Sequence, residues 1–102
     1  MSAHLELCRT ETADGLQLDG AFARAGEASA GRPALLLIHG TGSNLYGSGI
    51  LAAVAERAVA GGYPVLRVNT RGHDLVASIS SSDGPIRGGA AYERFAGAQL
   101  DI

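Results

Sequence analysis

Cysteine is almost missing from this chain, Cys8 being the only one. No intrachain disulfide can form, and no cysteine cluster has the spacing of a metal site. The expectation for Cys8 is a half-buried structural thiol. Lysine is absent altogether, so all 8 basic residues are arginines; against 10 acids they leave a formal net charge of -2. Charges so evenly spread give no footprint for nucleic acid or for an anionic membrane. No apolar run approaches the roughly 18 residues of a membrane span. The N-terminal MSAHLELCRTET has neither the basic start nor the apolar core of a secretory signal, which makes a cytoplasmic protein the expectation.

What is present reads as one domain over residues 1–102, with 46% apolar residues to supply a core. Leu5 and Leu7, then Leu16 and Leu18, recur at period two on either side of Ala13-Asp14-Gly15. That pattern predicts an antiparallel hairpin. The small, polar stretch 26–33 (GEASAGRP) predicts a surface loop. Ala34–Ile38 is an unbroken apolar run, too short for a helix, and predicts a central strand covered on both faces. Ile50, Leu51, Val54, Ala55, Ala58 and Val59 repeat at helical spacing, and Gly61-Gly62 predicts where that helix ends. Pro64 then opens a strand over Val65–Asn69, completing a βαβ unit. The Gly- and Ser-rich stretch Arg71–Gly89 predicts a mobile loop, and Ala90–Ile102 the start of a further helix. The fold class is therefore α/β.

A strand, a tight glycine turn and a helix together present backbone amides to an anion. A phosphate loop would end in Gly-Lys-Ser/Thr, whereas Gly42 is followed by Ser43-Asn44-Leu45. A dinucleotide fingerprint would place a third glycine at Leu45 and an acid where Asn69 stands. His39-Gly40-Thr41-Gly42 after ALLLI, with Asn69-Thr70-Arg71-Gly72-His73-Asp74 ending the next strand, resembles the oxyanion loop and strand-end turn of α/β-hydrolases, esterase-like serine hydrolases. The resemblance implies a partial α/β-hydrolase fold with strands in the order first, second, fourth, third. It implies an acyl ester as substrate, with no metal and no cofactor.

Carried over residue by residue, the resemblance puts an oxyanion donor on the backbone amide of Thr41. Gly40 and Gly42 allow the turn, His39 braces the loop, and Tyr46 is a candidate for lining a substrate pocket. Ser48 is expected to cap the helix, and Ser43 or Asn44 to bond locally. His73 reads as a loop histidine. Asp74 beside it should not pair with it, since neighbours on an extended chain point to opposite sides. His4 and the run Ser78, Ser80, Ser81, Ser82 read as exposed. No serine has glycines two before and two after it, so the nucleophile elbow, the acid and the catalytic histidine have no place here. The expectation is an N-terminal fragment of a serine hydrolase, inactive alone. Two alternatives stand beside it: a small Rossmann-like nucleotide-binding module, and a non-catalytic fragment that pairs with another chain, or with itself, through an open sheet edge.

Overall fold

The computed structural model describes residues 4–24, 31–40 and 42–102. Residues 26–30 of the expected surface loop, and Thr41, lie outside these. The described chain is mixed α/β, mostly strands with one α-helix.

The first two strands, β1 (His4–Glu11) and β2 (Gln17–Arg24), form the hairpin in a register that pairs Glu11 with Gln17 and His4 with Arg24. Thr12 closes the turn. Its backbone N–H donates to Leu16 O at 2.8 Å and its hydroxyl to Asp14 Oδ1 at 2.6 Å. Gly15 takes φ +89, a left-handed conformation that glycine adopts without steric cost.

The helix α1 (Gly49–Ala60) lies between β3 (Leu35–Ile38) and β4 (Val65–Val68). Ser48 caps it by accepting from Leu51 N at 3.2 Å. At its end Gly62, at φ +91, donates to Val59 O and Tyr63 N donates to Ala58 O, the paired bonds of a Schellman motif. The main sheet runs β1-β2-β4-β3, antiparallel except for the parallel β3/β4 pair, as a βαβ crossover requires.

The apolar run Leu35–Ile38 is not the covered central strand its composition suggests. β3 is the sheet edge among the described residues, and Leu36 and Ile38 are 44% and 42% exposed. The covered position belongs to β4, where Val65 is fully buried with Ala55 and Val59 of α1 against it. A run of leucines reports that water is unwelcome, but not which strand lies beside it. The outer flank of the helical stripe, Ile50 and Val54, is likewise exposed. So is Cys8, contrary to the half-buried thiol expected of it, because β1 is the opposite edge of the sheet.

The stretch expected as a loop contains a second, two-stranded sheet, β5 (Ala77–Ile79) with β6 (Ile86–Gly88). Ile79 packs with Leu16 and Leu18 in a small second core, and Leu16 bridges to Ser81. Phe95–Asp101 forms a 3₁₀-helix rather than the α-helix expected from Ala90 onward. Among the described residues no helix is long and apolar enough to cross a membrane.

Candidate functional site at the carboxyl ends of β3 and β4

Parallel strands leave their carboxyl ends together, and here two loops meet there, one from His39 to Gly47 and one from Asn69 to Asp74. His39 is buried and joins them. Thr70 N–H donates to its Nε2 at 3.0 Å, so that nitrogen carries the lone pair. Nδ1 then holds the hydrogen and donates to Gly40 O at 2.7 Å. Both ring nitrogens are occupied by backbone, so His39 braces the loop and has no free nitrogen to act as a base.

Asn69, only 4% exposed, holds the same junction from below by accepting Leu45 N–H on Oδ1 at 2.8 Å. Gly42 N–H donates to Gly72 O, Ser43 N–H to Gly40 O, and Asp74 N–H to Ser43 O. Gly42 sits at φ +78 and needs glycine for that reason. Gly40 does not, since a Cβ there would meet nothing within 4 Å. Thr41 lies outside the described residues. The neighbouring amides of Gly42 and Ser43 already have carbonyl partners within the loops.

Asp74 is the feature that sequence reading missed. Its φ is +60, left-handed rather than extended, and this turns its carboxylate back onto its own neighbour. His73 Nδ1 lies 2.7 Å from Asp74 Oδ2, which overturns the expectation that the two point apart. The same carboxylate accepts from Asn44 Nδ2 at 2.8 Å and from Tyr46 Oη at 2.8 Å. The His73 hydrogen bond, with those of Tyr46 and Asn44, holds the Asp74 carboxyl below the usual carboxylate range, and the Tyr46 hydrogen bond to Asp74 raises the Tyr46 phenol. Asn44 Oδ1 also accepts Gly47 N–H, so Asn44 bonds locally as anticipated. A hint was present in the sequence: aspartate is among the few residues other than glycine that visit the left-handed region.

Tyr46 is thereby part of the loop network, and it also borders an open groove of about 500 Å³ with Leu45, Asn69, Cys8 and Leu7. Among the described residues no group of three or more His, Cys, Asp or Glu side chains could hold a metal ion.

A second node lies beside the site. Arg71 donates to Asp14 through Nη1 and Nη2 at 2.7 and 2.9 Å, and to Asp101 Oδ1 through Nε at 2.8 Å. Its backbone N–H reaches Asp101 Oδ2 at 2.9 Å. The Arg71 guanidinium holds the Asp14 carboxyl well below its usual range, and Asp14 in turn raises Arg71. This clamp joins the β1–β2 turn, the β4 turn and the 3₁₀-helix.

No protein-family model, curated protein or solved structure matches the chain.

Proposed function

We propose that this chain carries the oxyanion-loop half of an α/β-hydrolase site, belonging to a serine hydrolase that acts on esters or related acyl bonds. The observation that supports this reading is the junction at the ends of β3 and β4. There a glycine loop and an Arg-Gly-His turn are tied together by His39, Gly42 and Ser43 across a sheet ordered β1-β2-β4-β3. In such a site a serine hydroxyl attacks the acyl carbonyl, and backbone N–H groups stabilise the negative charge that develops on its oxygen. The Thr41 amide is the proposed donor. No serine in the 102 residues has glycines two before and two after it, so this chain alone is proposed to lack serine-hydrolase activity.

The test is a ¹H–¹⁵N titration of the purified chain with phenylphosphonate as an oxyanion mimic, run beside NADP and ATP, with a serine-directed fluorophosphonate as a separate probe. Shifts confined to residues 40–43 with phenylphosphonate, and no covalent adduct, support the reading. Micromolar binding of either nucleotide would replace it with a nucleotide-binding module. A second reading, a fragment that pairs with another chain, draws on the apolar edge that β3 forms among the described residues. A concentration-independent monomer on size exclusion would count against self-pairing.

A further inference from the structure

His73 and Asp74 form a dyad that the oxyanion-loop reading does not use. Asp74 is held as a carboxylate that only accepts, so His73 Nδ1 carries the hydrogen between them, and in the neutral ring the lone pair lies on Nε2. Among the described residues Nε2 has no hydrogen-bond partner, and no buried side-chain nitrogen or oxygen there lacks one; Nε2 therefore reaches solvent. The side chain as a whole is only 15% exposed, so the ring is gripped and presents one edge. Asp74 is itself fixed by Asn44 and Tyr46, by its N–H to Ser43 O at 2.7 Å, and by Ala90 N–H to its carbonyl at 2.8 Å. Tyr46 shares Asp74 Oδ2 with the ring, and the Glu93 carboxylate lies against Gly72, the residue before His73.

A nucleophile, an orienting carboxylate and a rigid turn are the parts of covalent acyl transfer. We propose that His73 is a nucleophile toward activated aryl esters, with Asp74 as its positioning residue, an activity that needs no serine and is independent of the hydrolase reading. The Nε2 lone pair forms a bond to the acyl carbon while the bond from that carbon to the aryloxy oxygen breaks and the phenolate leaves. The resulting Nε2-acyl imidazolium keeps its Nδ1 hydrogen on Asp74, whose negative charge offsets the new positive one. Water then adds to the acyl carbon and gives one proton to solvent, the carbon–Nε2 bond breaks with its electron pair returning to Nε2 to restore the neutral ring, and the carboxylic acid formed gives a second proton to solvent.

The experiment follows p-nitrophenolate release from p-nitrophenyl acetate by the purified chain, with and without fluorophosphonate, and records the His73 tautomer by long-range ¹H–¹⁵N correlation. The expected result is release insensitive to fluorophosphonate and abolished in His73→Gln. Asp74→Asn should reduce it at least about 10- to 100-fold, the loss seen when the carboxylate that orients a metal-bound histidine is removed. The wild-type ring should be the Nδ1–H tautomer, and Asp74→Asn should populate the other. Unchanged release in His73→Gln, or an Nε2–H tautomer in the wild type, overturns the inference; the tautomer decides it even where a variant fails to fold. No release at all overturns this inference alone. Release blocked by fluorophosphonate and retained in His73→Gln would locate a serine nucleophile and overturn the absence of serine chemistry as well.

Discussion

Replacing Arg71 with alanine should be among the most damaging single changes in this protein, and its two carboxylate partners should contribute very unequally. Asp14 is 40% exposed on its side chain, so water can take over much of what the guanidinium provides. The Asp101 side chain is 0% exposed. Without Arg71 its charge keeps, among the described residues, the backbone N–H of residue 71 alone, and removing one partner of a buried pair costs about 3–5 kcal/mol. Against a total stability of about 5–15 kcal/mol for a domain, that is a large share. At about 4–8 °C per kcal/mol for a domain this size, the midpoint should fall on the order of 12–40 °C. Urea unfolding followed by circular dichroism at pH 7 gives the comparison. Asp14→Ala should cost far less than Arg71→Ala. The double variant Arg71→Met/Asp101→Leu should recover much of the loss, because it removes the stranded charge and fills the space. An Arg71→Ala cost below about 1 kcal/mol, or a double variant no better than the single, would refute the reasoning.

Other substitutions probe the site and its frame. His39→Ala strands the Thr70 N–H and should cost about 1–3 kcal/mol in urea unfolding. Gly89 sits at φ +95, and a Cβ there would come within 2.8 Å of Leu75 O and 2.9 Å of Val76 Cα, both backbone. Gly89→Ala should therefore cost at least about 2 kcal/mol, measured by thermal melting. Ser48→Ala removes the cap of α1 and should cost about 1 kcal/mol, also read from the melting midpoint. Because Arg71 holds the Asp14 carboxyl below its ordinary range, the native state releases that proton more readily than the unfolded chain. The stability this contributes is complete above the unfolded value of about pH 4 and is lost as pH falls below it. Asp14→Asn should flatten that acid limb in a pH series of melts; an unchanged slope would count against the assignment.

The sequence made some of this legible and hid the rest for identifiable reasons. Period-two leucines flanking Ala13-Asp14-Gly15 reveal the hairpin, and Ser48 with Gly61-Gly62 brackets α1, because caps and turns are local chemistry. The neighbours of β3 are not local, so its leucines point to a doubly covered central strand whereas, among the described residues, β3 is the sheet edge. β5 and β6 hid because each has only three residues among serines and glycines, and only the contact of Ile79 with Leu16 and Leu18 discloses the small sheet. At the site, HGTG and NTRGHD mark the turns that follow β3 and β4, but the bonds through His39 and Asn69 that tie those turns together appear only in the structure. The His73–Asp74 pair was not, since it depends on one backbone angle that a reading of extended chain assigns to the wrong region.

That angle narrows what substitution can do at position 74. A left-handed backbone favours Gly, Asn and Asp over other residues. Glycine would supply no carboxylate, and asparagine could not keep accepting from Asn44, Tyr46 and His73 at once, since its amide nitrogen only donates. Of the residues at ease in that conformation, aspartate alone serves the loop and the histidine together. Architecture and reactivity are inherited there through one side chain, and drift at that codon would be paid in both.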